Sequence, residues 1–404
     1  MRHRLEGAPL FLRFACSQTA DFIAYHMLSV AVGWQIYDLS RSPMTLGLVG
    51  LAQFLPQFAF TLPAGHAADT RDRRSVARAC QALQCLMALI LAGGSLGGWL
   101  TEEAILGCAM VLGAARAFVH PSMQSLLPTL VEPAILPRCL AIAASCRQTG
   151  IIAGPALGGA LYLLGPGAVY LTCAAFFAVA VTAMSTIPPT RRPSGREPAS
   201  VRSVLEGVTF IHSKPEVLGA ISLDLFSVLL GGATALLPIF ARDILATGSL
   251  GLGALRAAPA VGALGMSLYL ARRPLASRVG RSMFAAVAVF GLSTVVFGLS
   301  TNFLLSLAAL TALGASDMIS VVIRSSLIQL ETPDEKRGRV SAVNSIFIGT
   351  SNQLGEFESG VTASWFGAAP AVVLGGIGTL VVVGLWMRLF PTLLHRDRLV
   401  REGR

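Results

Sequence analysis

The chain has 404 residues, 54% of them hydrophobic and 13% charged, with a net charge of +10. A soluble domain carries about 25% charged residues, so this composition argues against a water-soluble globule and for a multi-span membrane protein. The arginines sit in short gaps between apolar runs, with no aromatic-interleaved basic face, which sets nucleic-acid binding aside and reads as membrane topology.

A membrane-spanning helix needs about 20 largely apolar residues. Taken in chain order, about twelve such runs are expected. Six lie near 10–37, 44–66, 75–98, 103–125, 139–163 and 166–187. Six more lie near 217–241, 250–271, 283–300, 303–325, 340–363 and 368–390. The expected fold class is an all-α membrane protein, because lipid offers the backbone no hydrogen-bond partner and a barrel would show alternating ten-residue strands.

The first run follows Arg2, Arg4 and Arg13 and contains Asp21 and His26. It is too long for a signal-peptide core and is expected to be a retained first span. The seven cysteines, Cys16, Cys80, Cys85, Cys108, Cys139, Cys146 and Cys173, form no C-x-x-C pair. Free thiols are expected, with neither a disulfide framework nor a zinc site.

The gaps alternate in charge. One set holds Arg71 to Arg78, Arg138, Arg191 to Arg202 with Lys214, Arg272 to Arg281, Lys336 to Arg339, and Arg396 to Arg404. The other holds little beyond Arg41 and Arg242. The basic set, with both termini, is expected on the cytoplasmic face of a bacterial inner membrane.

The longest polar gap, "PPTRRPSGREPASVRS" from Pro188 to Ser203, divides the chain. The expected domains are a six-helix bundle over 1–187, a linker over 188–216 and a second bundle over 217–404. The halves look like a repeat. A shift of 201 residues places Gly113 on Gly314, Leu126 on Leu327, Arg138 on Arg339, Gly154 on Gly355 and Gly159 on Gly360. Transporters commonly place substrate between such repeats.

Charges inside spans are costly and normally face a cavity or a partner. The candidates are Asp21, His26, Arg116 and Arg147 in the first half, and Asp224, Arg256, Asp317, Arg324, Glu356 and Glu358 in the second. Ser17, Asp21 and Tyr25 fall at i, i+4 and i+8 on one face of span 1. Asp21 is either a substrate or proton-carrying carboxylate, or half of a fixed ion pair with Arg147 or Arg116. Ser341, Ser345, Asn352, Glu356 and Ser359 form a polar stripe on span 11, which Glu358 cannot share. Arg116 and Asp317 are equivalent under the shift, so they could pair across the halves or each pair locally.

In "GIIAGPALGG", Gly150, Gly154 and Gly158 lie on one helical face and invite close approach of another helix, with Gly159 beside them. Pro155 favours a kink. No metal-ligand spacing, phosphate loop, nucleophile elbow or H-E-x-x-H motif is present, so no metal, cofactor or enzymatic activity is expected.

With these residues in view, the chain resembles the major facilitator superfamily over essentially its whole length. The loop "LPAGHAADTRDRRSVAR" is similar to the family signature G-x-x-x-D-[RK]-x-G-[RK]-[RK] through Gly65, Asp69, Arg73 and Arg74. Thr70 replaces the first basic residue and Asp72 the second glycine. The resemblance implies a conformational latch at these positions. In the second half, "GMSLYLARRPLASRVGR" keeps arginines but lacks the aspartate, implying a weaker latch.

"GIIAGPALGG" is similar to the span 5 motif of drug–proton antiporters. "RAFVHPSMQSLLPTLV", "LDLFSVLLGGATALLPIFARDIL" and "DEKRGRVSAVNSIFIGTSNQLGEFESG" look like the bacterial enterobactin-exporter-like branch. The resemblance implies two pseudo-symmetric six-helix bundles and proton-coupled export of a small amphiphilic, drug- or siderophore-like molecule. The expected site residues are Asp21, Tyr25, Arg116, Arg147, Asp224, Asp317, Asn352 and Glu356. The rival readings are a nutrient importer on the same fold and a non-transporting receptor or assembly subunit.

Overall fold

The computed structural model describes residues 8–189, 201–275 and 277–399. Within these, the side chains of Ala8, Asp69, Val201, Arg202, Ser203, Val204 and Asp334 lie outside the description. Among the described residues every regular element is helical.

The first seven helices are α1 (Ala8–Ser40), α2 (Pro43–Ala59), α3 (Thr61–Thr70), α4 (Arg73–Gly97), α5 (Glu102–Leu130), α6 (Leu136–Leu161) and α7 (Pro166–Ser185). Then come α8 (Val201–His212), α9 (Pro215–Leu230), the single turn α10 (Leu237–Ile239), α11 (Gly248–Arg272) and α12 (Val279–Leu299). Next are α13 (Phe303–Glu331), α14 (Asp334–Phe366) and α15 (Ala368–Leu389), with a last turn α16 (Pro391–Leu394).

The twelve expected spans correspond to α1, the α2–α3 pair, α4 to α7, the α9–α10 segment, and α11 to α15. By length and apolarity, eight described segments could cross a membrane unaided, or nine with α2–α3 counted as one span. The three that fall short, α1, α6 and α14, carry charged residues such as Asp21, Arg147 and Glu356.

Two spans differ from simple rods. The second bends by 50° between α2 and α3. Pro63 lies just past the break and has no N–H for the carbonyl four residues back, so the helix turns there. The seventh unwinds after α9 at Gly231 and Gly232, then resumes as a 3-10 turn, α10 and a π turn over Phe240–Ile244. A Cβ on Gly232 would run into the carbonyl of Gly355 on α14, so this close approach needs glycine.

The expected linker 188–216 also differs. Residues 190–200 lie outside the described residues, but its far end folds as α8 against α14. Phe210 and Ile211 are buried there, and Glu206 pairs with Arg339. The basic, proline-rich start of the gap masks this short amphipathic helix in the sequence.

The chain forms two compact units. The first contains residues up to Arg41, Ala52–Ala199 and Gly248–Ala257. In it α6 lies along α1, and α4 along α7. A Cβ on Gly150 would stand 2.5 Å from Phe22 Cβ, one on Gly154 2.7 Å from His26 Cβ, and one on Gly158 2.9 Å from the Met27 carbonyl. Three glycines spaced by four thus let α6 meet the α1 backbone. Further along α1, Gln35 is held by Tyr170, whose hydroxyl donates at 2.6 Å, while Gln35 Nε2 donates to Ser95 Oγ at 2.8 Å.

The second unit contains Ser42–Leu51, Ser200–Thr247 and Ala258–Arg404. Here α12 packs on α13 and α15, and α14 on α9. A Cβ on Gly355 would stand 2.9 Å from the carbonyls of Val228 and Leu229. This α14–α9 contact repeats the α6–α1 contact made by Gly154, its counterpart under the 201-residue shift. Gly113 against Gln53 in the first unit and Gly314 against Pro259 in the second repeat in the same way.

Candidate functional site: one buried ion pair in each unit

In the first unit Asp21 is 1% exposed on α1. Arg116 Nη1 on α5 donates to its Oδ2 at 2.9 Å. One turn along α1, the Tyr25 ring lies 4.0 Å from the Arg116 guanidinium carbon, and Phe22 adds a second face at 5.0 Å. Cation–π contact and ion pairing thus act on the same guanidinium. Tyr25 in turn donates to Gln53 Oε1 at 3.0 Å. The other neighbour on this face, Ser17, donates to the Ala180 carbonyl at 2.9 Å and accepts from Gln81 Nε2 at 3.1 Å.

Of the two arginines considered as partners for Asp21, Arg116 is the one that pairs. Arg147 is exposed on α6. Arg256, two turns into α11, donates to Ser29 Oγ on α1 at 2.8 Å.

In the second unit Asp224 on α9 pairs with Arg324 on α13, and both are at most 5% exposed. Each unit therefore carries a carboxylate on its first span paired to an arginine on its fourth. The arginines are not equivalent: under the repeat Arg116 matches Asp317, and Arg324 lies two turns further on. Arg116 pairs locally, with Asp21 in its own unit.

Asp317 instead lines a small cavity of about 10 Å³ together with Asp224, Ser227, Ser316 and Ser320. Two of these hydroxyls, Ser227 Oγ and Ser320 Oγ, are buried without a partner among the described residues. Ser316 donates to the Leu313 carbonyl at 2.8 Å.

The span 11 candidates are separate from this cavity. Glu356 is half-buried, and a Cβ on Gly50 would stand 3.0 Å from its Oε2. Asn352 is exposed and donates back to the Ile348 carbonyl at 2.8 Å. Glu358 accepts from Thr362 Oγ1 at 2.7 Å.

At the start of α4, Arg73 is 9% exposed and ties two segments together. Its Nε donates to the Ala68 carbonyl on α3 and its Nη1 to the Ser125 carbonyl on α5, both at 2.9 Å. Arg74 Nε is buried without a described partner, and Gly65 lies within α3. The Asp69 side chain lies outside the described residues. Asp72, which departs from the signature glycine, caps α4 by accepting from Ser75 N at 3.2 Å. That local bond accounts for an aspartate at this position.

The sequence reading missed the arginine at the other end of the chain. Arg396, 7% exposed, joins Glu216 at the start of α9 to Glu331 at the end of α13, with the Glu331 contact at 2.7 Å. The same tail segment caps α12. The amides of Arg278, Val279 and Gly280 donate to Asp397 Oδ1, the Asp397 carbonyl and the Arg396 carbonyl, at 3.0, 3.1 and 2.9 Å.

A repeated helical bundle with eight or nine segments apolar enough to cross a membrane and a buried ion pair in each unit fits a multi-pass membrane protein of the transporter class. The chain belongs to the Major Facilitator Superfamily, whose sequence model matches residues 14–355. Over 98% of its length it is 26% identical to the enterobactin exporter EntS of Citrobacter koseri, covering 94% of that protein. It is 24% identical to an EntS of Escherichia coli over 97% of its length, again covering 94% of the relative. Among solved structures it superposes on a mutant of the nucleoside transporter NupG with a TM-score of 0.76 at 14% identity, covering 94% of this chain and all of that one. A bacterial homolog of the human lysosomal transporter Spinster, in an inward-facing and occupied conformation, gives 0.75 at 13% identity, covering 96% and 97% of the two chains. These likenesses show the fold.

Proposed function

We propose that the protein is a secondary exporter in a bacterial inner membrane, with both termini cytoplasmic. It moves a small amphiphilic molecule, drug- or siderophore-like, outward in exchange for protons. The observation that carries this reading is the similarity to enterobactin exporters over 98% of the chain. The cycle alternates between states by rocking two six-helix halves, residues 1–187 and 217–404, about a central path. Asp69, Arg73 and Arg74 latch one of those states. Asp21, Tyr25, Arg116, Arg147 and Asn352 contribute to substrate binding, and an intramembrane carboxylate among Asp21, Asp224, Asp317 and Glu356 carries the proton. Coupling requires that protonation favour one state over the other.

The test compares metabolites inside and outside cells of a deletion strain, the parent and an overproducing strain. Export predicts that one compound leaves the medium and builds up inside on deletion. A compound that instead stays outside on deletion supports import. No difference under iron limitation, where siderophores are made, contradicts the siderophore-like substrate.

A further inference from the structure

We propose that Asp317, Ser227 and Ser320 form a proton-binding site that holds one bridging water, and that the coupling proton is taken up there rather than at Asp21. The inference rests on the proton-coupled reading above and names the site that reading leaves open.

Charge balance distinguishes the carboxylates. Asp21 is matched by Arg116 at 2.9 Å, under the Tyr25 ring. Asp224 is matched by Arg324. Asp317 has no ion-pair partner among the described residues. A buried charge without a counter-charge is costly, and a proton supplies the missing charge.

The surroundings fit that assignment. The cavity beside Asp317 measures about 10 Å³, close to the lower limit for one water molecule. Ser227 Oγ from α9 and Ser320 Oγ from α13 line it and are buried without described partners. A water there has hydroxyls on two helices and the Asp317 carboxylate to bond, within the two to four polar partners a buried water needs. Besides Asp317, the charged group lining the site is Asp224 from α9, whose partner is Arg324 on α13. From α12 come only Val287 and Phe290, and α11 and α14 contribute nothing to the lining.

The step is a simple transfer. The water accepts a proton arriving from outside and passes another to an Asp317 carboxylate oxygen, which regenerates the water. Release reverses this. The consequence lies along α13: Asp317, Ser320 and Arg324 fall at i, i+3 and i+7 on one face. When Asp317 is ionised it repels the Asp224 carboxylate that shares its cavity and loosens the Asp224–Arg324 pair. When it is protonated that repulsion is gone and the α9–α13 tie tightens. The proton thereby biases a contact between two helices, as coupling requires.

The test uses the full chain in proteoliposomes without transported substrate, so its outcome is independent of transport direction. Infrared difference spectra across a pH step read the carbonyl stretch of a protonated carboxyl. The expected result is a band in the native protein that is lost in Asp317→Asn, kept at a shifted frequency in Asp317→Glu, and kept in Asp21→Asn. Ser227→Ala combined with Ser320→Ala is expected to keep the band and shift its midpoint pH. A band that survives in Asp317→Asn, or no band in the native protein, overturns the proposal. A band abolished by sodium at constant pH overturns it in favour of a sodium site. An unshifted midpoint in the double serine variant removes the bridging water.

Discussion

Gly47 on α2 and Gly360 on α14 meet backbone to backbone: a Cβ on Gly47 would stand 3.0 Å from Gly360 Cα, and one on Gly360 2.6 Å from Gly47 Cα. Gly159 on α6 and Gly253 on α11 make the equivalent contact, at 2.9 and 3.2 Å. Each pair joins the fifth span of one repeat to the second span of the other. This is why residues 42–51 group with the second unit and 248–257 with the first. Gly360→Val is expected to destabilise the protein by about 1–3 kcal/mol through overpacking. Gly107→Ala, where a Cβ meets nothing within 4 Å, is expected to be neutral or stabilising. Thermal unfolding in detergent checks both.

The Asp21–Arg116 pair is expected to behave as a unit. Asp21→Asn alone leaves the Arg116 charge buried without its partner, costing about 3–5 kcal/mol. Adding Arg116→Gln removes that charge, so the double variant is expected to lose less stability than the two single losses summed. A double-mutant cycle on unfolding measures the difference. Additive losses would show that the two side chains act independently.

Arg396 binds two carboxylates and the carbonyls of Arg398 and Leu399, these last two at 2.7 Å. Arg396→Ala removes the buried cation that joins Glu216 to Glu331, with an expected cost of about 3–5 kcal/mol. Arg396→Lys is not expected to rescue it, because an ammonium lacks the planar fork that reaches several acceptors at once. Limited proteolysis reads the consequence: cleavage near the C-terminus should be faster in both variants.

Tyr170→Phe deletes the 2.6 Å bond to Gln35 but leaves the Gln35–Ser95 bonds in place. The expected loss is about 1 kcal/mol, the net worth of one buried hydrogen bond. A thermal shift in detergent checks it, and a loss several times larger would mean that Tyr170 orders more than Gln35.

The sequence exposed the features that break a pattern. Asp21, Asp224 and Asp317 stand out because a charge in an apolar run is costly, and the span 5 glycines because their spacing of four defines one face. Partners were less legible. Helical periodicity places Asp21 on a face but does not say whether Arg116 or Arg147 lies opposite, since that depends on how α1 packs with α5 and α6. The Asp224–Arg324 pair was hidden for the same reason, and the repeat misdirected attention because Arg324 is two turns from the position matching Arg116. Gln81 escaped because a neutral amide in a helix carries no signal. Arg396 escaped because a basic tail reads as topology until the structure shows its carboxylates.

The most direct test of the account is transport in everted membrane vesicles, in which export appears as uptake. With an inside-acid pH gradient and, as the probe, the compound that the metabolite comparison identifies, vesicles from overproducing cells are expected to accumulate it. The accumulation should collapse when a protonophore dissipates the gradient. Gradient-driven accumulation in right-side-out vesicles instead would contradict the exporter assignment, and accumulation that ignores the protonophore would contradict proton coupling.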